Sequence, residues 1–275
     1  CIADSVNKVK KYINAFIGVV RCKVIVVSGM SKVGACAIKL AKLLNKKTVY
    51  IMHGCYEMEC ALNESAVDEN SLQMEQYILH SVDLLLPVSE RYSQIIQEKY
   101  PFCKGKTAYL HNGVEKINLE HGKVQREKGR IIAVGGDRKL KNNIIVAKAM
   151  EKLGADRVLT VYGHLYHPNN LPQGKNIELK GLVPQTQLYE EMQKSELYIL
   201  NSVYEPFALS VYDALLCGCS VLITNVAGAL ELLNVTEHDV IFDPMDENEI
   251  ANKIDYLLEN PNNTRLMSSL DFNKI

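Results

Sequence analysis

Residues 201–218 read NSVYEPFALSVYDALLCG, and the rest of the chain can be read outward from this stretch. A short apolar run of strand character, residues 197–201, ends in a loop that bears Glu205. Pro206 suits a first helical turn, where its missing N–H is no loss. The helix then carries Asp213 two turns in and closes at Gly218, a favoured C-cap residue. Helical side chains lean toward the N-terminus, so Asp213 points back toward the Glu205 end. Two acids thus flank a helix N-terminus able to hold phosphate. Carboxylates also suit sugar hydroxyls, because each can accept two hydrogen bonds at once. The plainer alternative has Glu205 capping the helix and Asp213 facing solvent.

The same strand-to-helix step recurs along the chain. Strand-like runs fall at residues 23–27, 48–52, 84–88 and 107–110, then at 130–134, 157–162, 177–179, 197–201, 220–224 and 240–242. Helix periodicity fills the gaps, for example at 34–44, 89–98, 141–153, 187–193 and 247–259. Such alternation implies parallel sheets covered on both faces, and right-handed crossovers make them doubly wound. Residues 115–128 (EKINLEHGKVQREK) break the pattern: they are polar, lack an apolar period and follow the turn signal Asn112-Gly113. The expected fold is therefore α/β with two Rossmann-like domains, residues 1–115 and 129–262. Residues 116–128 form a linker and 263–275 a tail. Two such domains create a cleft, and ligands gather at the carboxyl ends of the strands.

Composition narrows the classes. The chain has 275 residues, 47% of them apolar and 23% charged, which excludes a disordered protein. The longest uncharged run, residues 214–230, is shorter than a membrane span of ~20 residues and is broken by Gly218, Ser220, Thr224 and Asn225. Residues 1–23 carry charges at both ends and no cleavage site of signal-peptide type. With 31 Lys plus Arg against 32 Asp plus Glu, bulk attraction to nucleic acid is not indicated. The first 23 residues are locally basic, with Lys8, Lys10, Lys11, Arg21 and Lys23 against Asp4. Their Val6, Val9, Ile13, Phe16, Ile17 and Val20 fall at helical spacing. Such a helix either packs with a solvated basic face or lies on an anionic membrane surface. The eight cysteines include no Cys-x-x-Cys pair and sit mostly in apolar segments, as reduced cytoplasmic thiols do. His53, Cys55 and Cys60 fit no structural zinc spacing.

Three further loops carry chemistry-bearing residues. Residues 28–34 (SGMSKVG) have the glycine spacing of a phosphate-binding loop, but Ala35-Cys36 stand where that motif needs Lys-Ser/Thr. An NTPase would lose both charge-bearing parts, although the loop's amides still open a helix. His53-Gly54 ends a strand, where a histidine can either reach into a cleft or serve as a structural hydrogen bonder. Residues 131–142 (IIAVGGDRKLKN) end a strand at Gly135-Gly136 and then supply Arg138, Lys139 and Lys141, a set that suits an anion.

The opening stretch resembles the E-x7-E signature of retaining glycosyltransferases of the GT-B fold, in particular glycosyltransferase family 4. Glu205 and Asp213 keep its spacing, with Ala208 in place of a glycine and Asp213 in place of the second glutamate. Other landmarks follow in order over roughly residues 24–261. Asp83 to Ser89 resembles the A-D-x-x-x-x-V-S segment, and His111-Asn112-Gly113-Val114 the inter-domain N-G-V turn. Val161-Tyr162-Gly163 resembles I-V-G, and Leu179-Lys180-Gly181-Leu182-Val183 resembles F-x-G-x-V. Gly218 to Leu222 and Gly228 to Leu232 resemble G-x-P-V-I and G-G-x-x-E-L.

The resemblance implies a GT-B-like fold and transfer of a sugar from a nucleotide-sugar donor to a glycan or lipid-linked acceptor, with retention and without a metal cofactor. No Asp-x-Asp occurs in the chain. Glu205 would meet the donor sugar and Asp213 the ribose. Amides of Phe207, Ala208 and Leu209 would meet the diphosphate, beside the glycine turns at Gly135, Gly136 and Gly163. Lys141 matches the phosphate lysine. Arg138 would stand in for an arginine whose usual place is taken by Gly135 and Gly136. Leu182 and Val183 would line the base pocket, and His53 would face the donor from the first domain. The expected setting is the cytoplasm, with peripheral contact at the inner membrane face. An alternative is a weakly active donor-binding subunit supporting a partner transferase; a sugar phosphorylase or epimerase of the same fold and an NTPase at residues 29–34 are the remaining rivals. Relative to the family the first domain is short, so the chain is expected to be either a fragment or a shortened transferase completed by a partner subunit.

Overall fold

The computed structural model describes residues 8–114, 124–172 and 174–270. It divides into two compact units, Cys1–His111 and Asn112–Ile275. Both are parallel α/β, the class expected from the alternation.

In the first unit, helix α1 (Lys8–Arg21) precedes β1 (Val24–Ser28), α2 (Lys32–Leu43) and β2 (Lys47–Met52). Two helices, α3 (Tyr56–Leu62) and α4 (Glu69–Ser81), then lead to β3 (Leu84–Pro87) and α5 (Glu90–Lys99). The strands form a parallel sheet in the order β1-β2-β3. Ile25, Val27, Tyr50, Met52 and Leu85 are buried on one face, while Val24 and Val26 of the other face are exposed. Gly34 explains the glycine spacing of the first loop, because a Cβ there would come within 2.6 Å of Val27 Cγ1. Ser31 caps α2 by accepting from Gly34 N at 3.0 Å, so the helix start is already served by its own side chain. Ser89 does the same for α5, accepting from Tyr92 N at 3.1 Å.

The strand expected at 107–110 does not form, and Pro87 is the reason. Leu85 N donates to Lys106 O at 2.7 Å, Ala108 N to Leu85 O at 3.0 Å and Leu110 N to Pro87 O at 3.0 Å. The rung that needs an N–H from residue 87 is missing, since proline has none. The segment stays an extended strip with one bridge to Leu85. On α1, Ile13, Phe16, Ile17 and Val20 are exposed and Val19 is the buried valine. The expected apolar face is therefore not packed; Val6 and the Val9 side chain lie outside the described residues.

The second unit contains β4 (Arg130–Val134), α6 (Asn143–Met150), β5 (Val158–Tyr162), β6 (Ile177–Gly181) and α7 (Gln185–Lys194). It continues with β7 (Leu197–Leu200), α8 (Leu209–Leu216), β8 (Ser220–Thr224), β9 (Val240–Ile241), α9 (Glu247–Glu259) and α10 (Asn263–Ser269). Its parallel sheet runs β6-β5-β4-β7-β8-β9. Every residue of β7 and β8 is buried, as central parallel strands require. One face carries Ile131, Ala133, Leu159, Val161, Leu197 and Ile199, packed in one apolar core with α6 and α9. The strand order reverses between β4 and β7, which places the ligand crevice of such a sheet outside their carboxyl ends.

Two boundaries differ from the expectation. Arg126 and Glu127, read as linker, are bonded to this unit: Glu127 N donates to Lys194 O at 2.7 Å and Arg126 to the carbonyls of Gly218 and, at 3.3 Å, Cys217. Residues 115–123 of that linker lie outside the described residues. The expected tail is largely the helix α10, anchored by side chains. Asn263 Nδ2 donates to Leu215 O and Cys219 O, each at 2.8 Å, and Arg265 grips the fully buried Asp239 at 2.7 Å. Residues 271–275 are not among the described ones.

Candidate functional site

The crevice at the switch point is built from turns that only glycine can make. Gly135 N and Gly136 N both donate to Tyr162 O, at 2.8 and 2.9 Å, which folds the end of β4 onto the end of β5. Gly136 has φ +64, and a Cβ there would sit 1.8 Å from His164 O. Gly163 has φ +132, and its Cβ would lie 2.4 Å from Gly136 N. Asp137 secures the neighbouring loop by accepting from Tyr166 N at 2.8 Å and from His167 N.

Gly135 has a different task. A Cβ on it would meet Lys141 Cγ at 2.6 Å, so its bare backbone gives the lysine stem room to cross the turn. Lys141 ends a single 3-10 turn, Lys139–Lys141, and Asn142 then takes φ +53 before α6 begins at Asn143. The helix expected from 141 is thus delayed by a left-handed residue, for which asparagine is suited. Lys141 Nζ pairs with the Glu205 carboxylate, the two side chains being 15% and 12% exposed. Ser202 Oγ lies 3.4 Å from the same carboxylate oxygen. The loops that carry this pair are joined along the main chain, Val203 N donating to Leu140 O at 2.9 Å. Asn142 and Asn201 both donate to Pro244 O, at 2.7 and 2.9 Å.

Arg138 is exposed and directs Nε to Gly135 O at 3.4 Å. Arg138 and Lys141 therefore flank Gly135, but the three expected cations do not meet at one point: Lys139 is exposed and Lys141 turns to Glu205.

Helix α8 starts later than expected. Pro206 lies outside it, and Ala208 at φ +77 and ψ +70 is its N-cap residue, with no side-chain cap. The first amides of α8 are therefore without a side-chain acceptor, which leaves positive potential at the helix start. Glu205 is held apart from α8 by a bridge to Ala227, with Gly228 N donating to Glu205 O at 3.2 Å. Asp213 stands one turn into α8 and not two. It is half-buried, and burial pushes its carboxyl up to about 6. Its side chain makes no hydrogen bond among the described residues, so neither capping nor full solvation describes it. Phe207 is buried and stacks on Tyr212, ring centroids 5.5 Å apart. Leu209 is exposed; beyond β6, Leu182 is 63% exposed and Val183 half-buried.

Ala208 gives a direct stability test. An L-residue with a Cβ in the left-handed region costs ~1–2 kcal/mol, which glycine avoids. We expect Ala208→Gly to raise stability by about 1 kcal/mol in urea denaturation, and a loss of stability would show that the Cβ contributes more by packing than it costs by strain.

In the first unit, His53 follows β2 and its Nε2 lies 2.8 Å from Ser28 Oγ at the end of β1. Burial lowers its pKa, which favours the neutral ring at neutral pH. It borders a cleft of about 170 Å³ whose lining includes Gly29, Met30, Tyr50, Glu59 and Glu75.

Ser202, Asn142, Asn201 and Asp137 were not anticipated as site-building residues. Ser202 lies three residues before Glu205 and was within reach of inspection. The roles of the others depend on Pro244 and on the loop after β5, which no spacing rule connects to them.

Comparison with known proteins agrees with this architecture. The profile of the family described as Glycosyl transferases group 1 matches residues 116–269. A Campylobacter jejuni protein, N-acetylgalactosamine-N,N'-diacetylbacillosaminyl-diphospho-undecaprenol 4-alpha-N-acetylgalactosaminyltransferase, is 26% identical over 187 residues, covering 64% of this chain and 51% of that protein. Mannosylfructose-phosphate synthase of Agrobacterium fabrum is 21% identical over 170 residues, covering 60% of this chain and 35% of that protein. The chain thus matches about half, or less, of the length of these curated relatives. Among solved structures, sucrose-phosphate synthase from Thermosynechococcus elongatus superposes with TM-score 0.70 at 16% identity, over 99% of this chain and 78% of that one. Anabaena HepE in complex with UDP and glucose gives 0.67 at 16% identity, over 89% and 71%. These likenesses show the GT-B-like fold, and the profile match over more than half of the residues shows the family: this chain belongs to the group 1 glycosyl transferases.

Proposed function

We propose that this chain binds a nucleoside-diphosphate sugar and transfers the sugar, with retention and without a metal ion, to a glycan or lipid-linked acceptor. The observation that carries the reading is the Lys141–Glu205 pair at the switch point, beside the uncapped start of α8. The diphosphate would lie on the α8 amides with Lys141 and Arg138 beside it, Asp213 would accept from the ribose hydroxyls, and Glu205 would receive the sugar. As the C1–O bond to the β-phosphate breaks, positive charge develops on the sugar and negative charge on the diphosphate. Lys141 and the helix amides stabilise the latter, which is the part a metal plays elsewhere. A new C1–O bond forms to the acceptor hydroxyl on the face the diphosphate leaves, and the hydroxyl proton passes to the departing phosphate oxygen. HepE was solved with UDP and UDP-glucose, and the Campylobacter relative is named for a diphospho-undecaprenol substrate. Both support the choice of donor and acceptor class.

The test is a panel of UDP-, GDP- and ADP-sugars read by thermal shift, because selective binding stabilises the folded state. One class of nucleotide-sugar is expected to raise Tm, unchanged by EDTA, and a flat panel would remove the reading. The affinity should also rise as pH increases through about 6, where Asp213 ionises and gains acceptor strength toward ribose. The shifted group is raised, so binding that requires its carboxylate is weak below that pH and complete above it.

We also place the protein at a membrane surface. Exposed Ile13, Phe16, Ile17 and Val20 of α1 lie in a region, residues 8–47, with ten Lys or Arg and no Asp or Glu. Apolar contact and cationic charge together suit anionic lipid. No helix of the described residues is long and apolar enough to cross a bilayer. Flotation with vesicles of phosphatidylcholine and 30% phosphatidylglycerol should carry the protein, and Phe16→Ser with Ile17→Ser should release it. Equal flotation with phosphatidylcholine alone would refute a charge-assisted contact.

A further inference from the structure

At the switch point Lys141 and Glu205 neutralise each other. Lys141 holds Glu205, and the other side-chain donor on that carboxylate among the described residues is the Ser202 hydroxyl, at 3.4 Å. We propose that Glu205 makes the site discriminate a nucleotide-sugar from the bare nucleoside diphosphate, and so favours departure of the spent nucleotide. This rests on the functional reading above and adds to it a basis for choosing donor over product.

Each ligand acts differently on the pair. A diphosphate draws on Lys141 for charge stabilisation. Once it does, Glu205, 12% exposed, keeps a distant serine hydroxyl and loses its cation. A carboxylate so placed is costly to leave without partners. The ammonium has three hydrogens and can bridge both anions, but bridging still brings the diphosphate charge up to the carboxylate. A bare nucleotide must bear that cost. A nucleotide-sugar offsets it, because its sugar hydroxyls donate to the carboxylate that the lysine has left. The same carboxylate is thus a competitor of the product and a partner of the donor.

Geometry also keeps the competition in place. Gly135 lets the lysine stem cross at a single position, and Val203 N to Leu140 O fixes the two loops against each other. Both groups are thereby held at one crevice, so a ligand that engages the lysine also meets the carboxylate. A neutral side chain of the same shape at 205 would remove the competition and leave the fold alone.

Isothermal titration of the full chain tests this, using the pair that the thermal-shift panel selects: UDP and a UDP-sugar, or the GDP or ADP equivalents. In the wild type the sugar-loaded nucleotide should bind tighter than the bare one. In Glu205→Gln the bare diphosphate should bind at least about threefold tighter than in wild type, and the advantage of the sugar should shrink to about twofold or less. Lys141→Met should weaken both ligands, which separates removal of the competitor from general disturbance. Melting curves of both variants confirm folding. Unchanged or weaker binding of the bare diphosphate in a folded Glu205→Gln overturns the inference alone. Failure of every nucleotide to bind the wild type overturns the functional reading together with it.

Discussion

Lys141→Ala is expected to lower turnover by at least about tenfold, measured as sugar transfer or donor hydrolysis under saturating donor. Two effects act in the same direction. On the proposed reading the leaving diphosphate would lose a fixed cation, and the Glu205 carboxylate loses the partner that holds it at 12% exposure. Truncation of one member of a pair so little exposed leaves the other charge uncompensated. Lys141→Arg should not restore the rate in full. The stem passes over Gly135 inside van der Waals contact of where a Cβ would stand, 2.6 Å, and a planar guanidinium cannot reproduce the compact ammonium's pairing at the end of that fixed path. Arg138→Ala should have a smaller effect, because its side chain is exposed and reaches only a backbone carbonyl at 3.4 Å. Rates near wild type in Lys141→Ala would remove Lys141 from the chemistry.

Gly163→Ala should be among the most damaging small substitutions in the second unit. A Cβ at φ +132 would be strained wherever it pointed, and here it would point at Gly136 N, 2.4 Å away, and Gly135 C, 2.8 Å away. Both contacts are with backbone, which cannot rotate aside as a side chain can. The paired turn must therefore move, and with it the support under Lys141. A loss of at least about 3 kcal/mol is expected in urea denaturation, together with loss of nucleotide binding. Gly181→Ala supplies the control, since φ is +68 there and nothing lies within 4 Å of the added carbon. It should cost ~1 kcal/mol, the left-handed strain alone. If the two variants were equally stable, steric closure of the turn would not be what holds the crevice together.

The alternation of strands and helices was legible because parallel sheets demand it. Buried β-branched runs and helical spacing leave a pattern in the residues themselves, and eight of the ten expected strands coincide with the observed ones at one end or both ends. Where the structure differs, the backbone at a single residue is responsible. Pro87 lacks the N–H that a strand at 107–110 would need, although the other rungs formed. Ala208 adopts a left-handed conformation that alanine does not advertise, so α8 begins at Leu209 and Asp213 moves a turn closer to the helix start. Asn142 delays α6 in the same way, and there the asparagine could have been taken as a sign.

The candidate site divides along similar lines. Glu205 and Lys141 stood out by residue type at strand ends, yet nothing in the linear order says that they touch, 64 residues apart. The sequence by itself determined two parallel α/β units, the family, and the loops in which the candidate anion-binding groups reside, because those depend on local period, glycine spacing and ordered motifs. Tertiary structure alone decided which cation meets which carboxylate, how much water each keeps, and which glycines are needed for closure. These depend on the strand order β6-β5-β4-β7-β8-β9, which sets β4 beside β7 and so brings the two loops into contact. Exposure and pairing are properties of that neighbourhood, and they determine whether a carboxylate is a surface acid or the partner of a half-buried lysine.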